Sequence, residues 1–256
     1  MSLLPLKLFT ITRPVDVATR ETVAFLSAHC LPGAAVLEIG CGRGQVAEVM
    51  ADLGHRVTAI DSDPEAMART RVGAFTFIEA SWPDFDGGPF DAVAFTRSLH
   101  HIGALGLAIE KAHAVLAPSG VLLVEDFAFD EASEAMLEWF VGVLRSHRAR
   151  TLIIPREGEL VTELIEASDP MAVWGARHDR HDLHSAPTMV SAARGRFEIE
   201  TMPAPYCYRY LIPVLPETAE AAGFTADVLR EESGLGDRGL ALIGRRMVGT
   251  PRAPSA

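Results

Sequence analysis

Three glycines and an acidic residue follow the first strongly apolar run of the sequence. Glu38, Gly40, Gly42 and Gly44 give the spacing ExGxGxG after Val36. Glycines at the end of a strand let the backbone turn sharply and approach a ligand closely, because a side chain would occupy the same space. The chain then enters a helix, so backbone N–H groups face any carboxylate or phosphate above the loop. The sequence therefore predicts a nucleotide-type ligand site.

A second acidic residue, Asp61, ends the next apolar run. It lies about twenty residues past the glycine loop, where a carboxylate can accept hydrogen bonds from both ribose hydroxyls. A dinucleotide fingerprint also needs GxGxxG or GxGxxA, whereas Gln45 stands at the third glycine position. The spacing argues against a pyrophosphate ligand. An NAD-dependent oxidoreductase is retained as the alternative function.

Four stretches in this half of the chain form a wider pattern. They are VLEIGCGRG at 36–44, AIDSDPEAM at 59–67, FIEASWPDFDGGPFD at 77–91 and FDAVAFTRSLHHI at 90–102. In this order they resemble class I S-adenosylmethionine (SAM) dependent methyltransferases of the ubiquinone and menaquinone biosynthesis type, over residues 35–127. The resemblance implies methyl transfer from SAM to an O, N, C or S atom of a small molecule, with S-adenosylhomocysteine as product. A SAM-binding protein without methyltransferase activity is a further alternative.

The resemblance also assigns cofactor contacts. It implies that Asp61 binds the ribose and that Glu79 and Ala80 lie against the adenine, with Glu79 where the family has Asp. Cys41 is expected to be a small loop residue and not a nucleophile. The expected cofactor-binding residues are Glu38, Gly40, Cys41, Gly42, Gly44, Asp61, Ser62, Glu79, Ala80, Ser81, Thr96 and Arg97.

Two adjacent histidines, His100 and His101, follow the fourth predicted strand. SAM is already electrophilic, so the enzyme mainly aligns the acceptor, but a hydroxyl, thiol or protonated amine also needs a base. Histidine suits that task near neutral pH, and ligands lie at the carboxyl ends of parallel strands. Either histidine is a candidate base, and His101 is also a candidate substrate contact. The alternative is that one packs at a helix start while the other is solvated.

The segment His178–His184 is the part of the sequence densest in titratable groups. Its spacing matches no standard metal-ligand pattern, so we expect no metal. A substrate-facing base or binder and a solvated turn remain open. His181 and His184 are therefore candidate bases.

All three tyrosines of the chain lie in the segment 205–210. In an extended segment Tyr206, Tyr208 and Tyr210 share one face and Arg209 the other. Such rings can wall a pocket for a planar substrate, or pack against the sheet or a second subunit. Tyr206, Tyr208 and Arg209 are predicted substrate contacts, as is Trp139, whose alternative role is packing in a helical lid.

Composition narrows the substrate class. The net charge of -11 opposes binding to nucleic acid or an anionic membrane. The fourth strand ends in Phe-Thr-Arg-Ser at 95–98, without the Asp/Asn-Pro-Pro-aromatic signature of nucleic-acid amino-methyltransferases. Three scattered cysteines and an N-terminus without a long apolar run favour a reduced, cytoplasmic protein that is not exported. We expect a small-molecule acceptor, and a homodimer is left open.

Strands alternating with helices must position these residues. The pattern predicts strands at 36–39, 56–60, 74–79, 90–95, 120–127, 197–202 and 240–246, and helices at 15–30, 44–54, from Asp63-Pro64, 104–117, near 130–148 and near 187–194. This is an α/β class: a Rossmann-like, doubly wound, mostly parallel sheet of about seven strands with helices on both faces. We expect one domain, with an N-terminal helical segment (1–32), a SAM-binding core (33–127), an inserted lid or substrate layer (128–195) and C-terminal strands (196–256).

Overall fold

The computed structural model describes residues 9–63, 65, 75–179 and 182–252. Its strands are β1 (Ala35–Ile39), β2 (Arg56–Asp61), β3 (Thr76–Glu79), β4 (Phe90–Thr96), β5 (Leu116–Phe127), β6 (Phe197–Ala204) and β7 (Gly244–Pro251). Its helices are α1 (Pro14–His29), α2 (Gln45–Asp52), α3 (Leu105–Val115), α4 (Glu134–Leu144), α5 (His147–Leu152), α6 (Leu160–Glu166), α7 (Pro170–Asp179), α8 (Ala186–Arg194) and α9 (Ala219–Asp237). The helix predicted from Asp63-Pro64 lies outside the described residues.

The sheet has seven strands in the order β3-β2-β1-β4-β5-β7-β6. The first five strands are parallel, whereas β7 runs antiparallel to both β5 and β6. Val36, Leu37 and Ile39 of β1 are buried, as expected for a strand covered by helices on both faces. The predicted Rossmann-like sheet is confirmed. Strand order reverses between β1 and β4, which is where open α/β sheets bind their ligands.

Boundary shifts have local causes. The predicted strand at 240–246 begins only at Gly244, where the backbone lies so close to the paired strand that a Cβ would clash with the carbonyl oxygen of Ala204. Helix α3 ends at Val115, earlier than predicted, and β5 begins at once. Leu116 pairs with Phe90, and the ladder resumes at Ala92 and Val121 after a bulge.

The segment 128–195 divides between two layers. Apolar side chains of α4, α5, α6 and α7 form one core with α1 and α9, including Phe140, Leu164 and Trp174. Met189 and Ala193 of α8 instead join the core beneath the sheet. The helical layer therefore comprises α4 to α7 together with the flanking helices, and α8 covers the sheet.

Candidate functional site

The glycine loop joins β1 to α2 and all three glycines have a positive φ, between 52° and 73°. A Cβ on Gly40 would lie 2.4 Å from the Cβ of Ser98, whose hydroxyl donates to the carbonyl of Ile39 at 2.5 Å. Gly40 is therefore required by packing. A Cβ on Gly42 would meet nothing within 4 Å, so the space above Gly42 is open to a ligand.

Asp61 at the end of β2 holds this loop in place. Its Oδ2 accepts a hydrogen bond from the amide of Gly42 at 2.7 Å, and its Oδ1 accepts one from the amide of Asp63 at 2.9 Å. The amides of Gly40 and Cys41 both donate to the carbonyl of Ile60. The side chain is only partly buried, so its remaining lone pairs can accept further hydrogen bonds.

A cleft of about 490 Å³ opens where β1, β2 and β4 end; we call it the strand-end cleft. Six of the predicted cofactor residues line it, and they are Gly40, Asp61, Ser62, Ala80, Ser81 and Arg97. Ser98, His101 and the segment 102–104 complete one wall, with Trp82 and Pro83 opposite. Glu79 is exposed at the end of β3 and does not line the cleft. The predicted adenine contact by Glu79 stays a prediction, and Ala80 and Ser81 are better placed for it.

A second cavity of about 300 Å³ lies on the other side of Arg97, and we call it the tyrosine cavity. It is lined by Val15, Ala18, Thr19, Glu38, Cys41, Gln45, Val46, Arg97, Tyr206, Arg209, Tyr210, Ile212 and Pro213. Arg97 lines both spaces and has a φ of 66°, an uncommon conformation for a non-glycine residue. The two cavities are therefore neighbours that share a cationic residue.

Glu38 is buried beneath the loop. Its Oε1 accepts a hydrogen bond from the hydroxyl of Thr96 at 2.7 Å, whereas its Oε2 has no partner within the described part of the chain. Burial raises the pKa of Glu38 to about 7, against the lowering effects of Thr96 and of the positive charge on Arg97. This carboxyl group is thus poised to ionise near neutral pH when a cation binds beside it.

Cys41 is buried next to Glu38 and Asp61. Burial, followed by the negative charges of those two carboxylates, raises the pKa of its thiol well above the ordinary value. A thiol in this environment stays protonated and is a poor nucleophile. This environment agrees with the expectation that Cys41 is a small loop residue and not a nucleophile.

His100 is buried behind the strand-end cleft, while His101 lies at its surface. Nδ1 of His100 is 2.6 Å from Oδ1 of Asp126, and the two histidine rings are 3.9 Å apart. On its other side the His100 ring contacts Phe127, which stacks on Tyr206 of the tyrosine cavity. His100 is therefore connected through Phe127 to Tyr206 of the tyrosine cavity, and a carboxylate fixes its orientation.

The candidate bases of the 178–184 segment are not equivalent. Nε2 of His184 donates to the carbonyl of Ile102 at 2.9 Å, and its amide donates to the carbonyl of His100 at 3.0 Å. These bonds anchor the segment against the loop after β4 and favour a structural role for His184. His178 is buried and stacks on Phe129. Arg180 and His181 lie outside the described residues, among which no three metal-ligating side chains cluster.

The tyrosine segment is not extended, and that prediction was wrong. Residues Cys207–Val214 form a 3-10 helix, so the three rings do not share a face. The carboxylate of Glu232, from α9, accepts hydrogen bonds from the amides of Tyr206, Cys207 and Tyr208 and so stabilises the start of the helical turn. Tyr206 and Tyr210 consequently line the tyrosine cavity. Tyr208 is buried in the helical core and is not a lining residue.

The other two predicted substrate contacts, Arg209 and Trp139, lie in different parts of the molecule. Arg209 lines the tyrosine cavity, as expected of a site residue, but it is buried beside the rings instead of on the opposite side of a strand. Trp139 packs next to Phe140 and faces a separate cleft near Arg148 and Asp227. Packing within the helical layer, the alternative role considered for Trp139, therefore describes this residue better than a substrate contact.

A buried charge cluster lies beneath the tyrosine cavity, and sequence reasoning missed it. Glu125 of β5 accepts hydrogen bonds from Arg209 at 2.6 Å, Arg246 at 2.8 Å, Arg97 at 3.4 Å and the hydroxyl of Thr22 at 2.6 Å. Burial raises the pKa of Glu125, but the three arginines outweigh it and lower that pKa to about 2. The only sequence signal was an acidic residue near the end of an apolar strand.

Comparison with known families adds to this geometry. Residues 12–160, more than half of the chain, match the sequence profile of a family described as a methyltransferase domain. The chain belongs to this methyltransferase family. The match contains the glycine loop, Asp61, the His100–Asp126 pair and the first helices of the helical layer.

The curated relatives cover part of this methyltransferase. The ubiquinone biosynthesis O-methyltransferase of Xanthomonas campestris pv. campestris is 37% identical over 126 residues, which is 44% of this chain and 51% of that protein. The chain therefore spans about half the length of the curated relatives it matches.

Solved structures share the fold over most of the methyltransferase. A structure titled S-adenosylmethionine dependent methyltransferase from Mesorhizobium loti has a TM-score of 0.53 at 15% identity, covering 93% of this chain and 98% of that one. A structure titled the [4+2]-cyclase SpnF also has a TM-score of 0.53, at 17% identity, covering 92% and 82%. At these identities the likeness concerns the fold alone.

Among the described helices, none is both long and apolar enough to cross a membrane.

Proposed function

We propose that this protein transfers the methyl group of SAM to a small-molecule acceptor. The observation that carries the proposal is the cradle formed by Gly42 and Asp61: open space above a glycine with positive φ, beside a partly exposed carboxylate at the end of the next strand. Membership of the methyltransferase family and the similarity to known methyltransferases support it. A pyrophosphate would need a third glycine where Gln45 stands, so the oxidoreductase alternative has no support.

The residues present fit SAM. Asp61, Ala80 and Ser81 would hold the adenosine side in the strand-end cleft, and the unpartnered Oε2 of Glu38 would face positive charge on the methionine side. When bound, SAM supplies an electrophilic methyl group on a sulfonium. Gly40 and Gly42 let the backbone approach the ligand closely, with their amides donating to Ile60 and Asp61, while buried side chains below the loop exclude water.

His100 is the candidate base of this proposal. Asp126 accepts a hydrogen bond from its Nδ1–H, which leaves Nε2 free to take a proton from the acceptor. The negative charge of Asp126 also stabilises the imidazolium that forms. His101, on the cleft side, is assigned a contact with bound ligand. His184 is assigned to holding the loop after β4.

Ligand-induced stabilisation tests the cofactor first. S-adenosylhomocysteine and SAM are expected to raise the melting temperature of the protein, since each binds the native state alone, whereas NAD leaves it unchanged. Asp61→Ala should weaken S-adenosylhomocysteine binding in calorimetry. Transfer of labelled methyl groups to a panel of small-molecule acceptors then tests the reaction. Tight SAM binding with no transfer to any acceptor would favour a non-catalytic SAM-binding protein.

A further inference from the structure

The tyrosine cavity borders a cluster with more arginines than carboxylates. Arg97, Arg209 and Arg246 all face Glu125, so three guanidinium groups share one carboxylate; Arg209 is buried and the other two are partly exposed. An anion bound beside Arg97 and Arg209 would therefore be stabilised by their positive charge.

Arg209 has an unused donor at this position. The residue is 8% exposed, yet its Nε–H has no hydrogen-bond partner within the described ranges, while its terminal nitrogen donates to Glu125 and Thr22. A buried guanidinium N–H without an acceptor is energetically unfavourable, so a ligand oxygen at this position would be stabilised. Arg97 borders the same cavity with 32% of its side chain exposed and can supply a second donor.

The rest of the cavity wall is largely apolar or aromatic. Tyr206 and Tyr210 lie with ring centroids 5.6 Å apart, and Ile212 and Pro213 continue the wall. Glu38 is the carboxylate among the described lining residues, and the positive charge on the methionine side of the cofactor would compensate its negative charge when both ligands are bound. Burial raises the pKa of the Tyr206 hydroxyl to about 12, so it remains a hydrogen-bond donor. About 300 Å³ accommodates a small ring system.

We propose that the methyl acceptor is an aromatic carboxylic acid whose carboxylate binds Arg97 and Arg209 in the tyrosine cavity. The inference rests on the proposed function, because Arg97 also lines the strand-end cleft assigned to SAM. An acceptor held by Arg97 lies next to the cofactor, at the edge of the sheet where β4 ends. The carboxylate is a recognition group, and the methylated atom is elsewhere on the ring system.

An outer cleft connects the tyrosine cavity with the surface. This cleft of about 750 Å³ shares Val15, Gln45, Ile212 and Pro213 with the tyrosine cavity. Its charged lining residues are Arg13, Arg43, Arg156, Glu48 and Glu217. Arg13 is paired with Asp16 at 2.7 Å, so the charges along this approach are balanced.

Binding of matched acids and amides tests the proposal. The full-length protein is saturated with S-adenosylhomocysteine and titrated by calorimetry with 4-hydroxybenzoate, 4-hydroxycinnamate and indole-3-carboxylate, each against its primary amide. At least one acid is expected to bind about tenfold or more tightly than its amide, as for a charge-assisted hydrogen bond. Equal affinity for acid and amide throughout the panel overturns the proposal.

Arginine variants then locate the binding site. Arg97→Gln and Arg209→Lys are expected to reduce the acid preference to about threefold or less. Arg209 does not line the strand-end cleft, so Arg209→Lys should also leave S-adenosylhomocysteine affinity within about twofold. Arg196→Gln, an exposed arginine paired with Glu110, is the matched control and keeps the preference. Because Arg209 is buried, thermal unfolding checks its variant, and the more exposed Arg97 gives an independent result.

The outcomes separate this inference from the proposed function. Loss of S-adenosylhomocysteine affinity in Arg97→Gln and Arg209→Lys, with the acid preference intact, assigns the arginines to the cofactor and overturns the acceptor proposal. Wild-type protein that does not bind S-adenosylhomocysteine refutes the proposed function itself. Retained cofactor binding without acid preference refutes only the inference.

Discussion

Nδ1 of His100 lies 2.6 Å from Oδ1 of Asp126, where strands β4 and β5 end side by side. The same carboxylate accepts hydrogen bonds from the amides of His100 and Phe127, so both the ring and its backbone are held by one group. An exposed histidine would hold neither its tautomer nor its orientation in this way. The arrangement matches the needs of a base that removes one proton in a water-excluded site.

Replacing His100 tests this assignment. His100→Gln is expected to lower kcat by about 100-fold or more, because general bases contribute at least that much, while S-adenosylhomocysteine affinity changes little. His101→Gln is the neighbouring comparison and should lower kcat less. Rates are measured with the best acceptor from the labelled-methyl panel. A larger loss of kcat in His101→Gln would transfer the role to His101.

Asp126→Asn separates positioning from packing. The amide keeps the shape of the side chain but removes the charge that stabilises an imidazolium on His100, so kcat is expected to fall by about tenfold or more. S-adenosylhomocysteine affinity should change little, because Asp126 contacts His100 and not the cofactor cleft. Reduced stability with an unchanged kcat would make Asp126 purely structural.

The two central loop glycines should respond differently to alanine. Gly40→Ala introduces a clash with Ser98 and is expected to destabilise the protein by about 2 kcal/mol or more, measured by chemical unfolding. Gly42→Ala adds only the cost of a positive φ, about 1 kcal/mol, but weakens S-adenosylhomocysteine binding by about tenfold. Gly33→Ala, with a φ of 73° and no neighbours within 4 Å, is the matched control for backbone strain. Equal cofactor affinity in the Gly33 and Gly42 variants would argue against the cradle.

Much of the sheet and the loop was predictable because the signals are local. The apolar runs at 36–39 and 90–95 are short strands that are buried except at Asp91, and the glycine spacing marks a turn whose φ values only glycine adopts easily. Asp61 was found by its distance from that loop. Its hydrogen bond to Gly42, which fixes the loop, was not predicted, since it depends on the register between β1 and β2.

The arrangement of residues around the tyrosine cavity was not predictable from local sequence signals. The conformation at Tyr206 is determined by Glu232, which follows it by 26 residues on another helix. The charges around Glu125 come from residues separated from it by 28 to 121 positions. The spacing of residue types along the sequence does not indicate such long-range contacts. Residue types were therefore informative here, while their grouping required the tertiary structure.

The affinity for SAM should depend on pH through Glu38. Its pKa of about 7 is raised by burial, and a positive ligand beside Oε2 favours the ionised form, so binding below pH 7 releases a proton. SAM affinity is expected to rise by about tenfold from pH 6 to pH 8 and then to level off. Glu38→Gln should flatten this profile. Calorimetry in buffers of different ionisation enthalpy measures the released proton, and a wild-type affinity independent of pH would contradict the role of Glu38.

Glu125 should contribute to stability in a pH-dependent way. Glu125→Gln leaves buried Arg209 and the partly exposed Arg97 and Arg246 without their carboxylate, and the free energy of unfolding is expected to fall by about 3 kcal/mol at pH 7. The folded-state pKa of about 2 lies below the ordinary value of 4.5, so the native state binds fewer protons than the unfolded state between these values. The contribution is thus complete above pH 4.5 and is lost as the pH falls toward 2. Urea unfolding at several pH values should therefore show the difference between wild type and variant narrowing below about pH 4. Glu110→Gln, at an exposed pair with Arg196, is the control and should leave stability unchanged. A constant difference across this pH range would mean that the variant loses packing instead of charge.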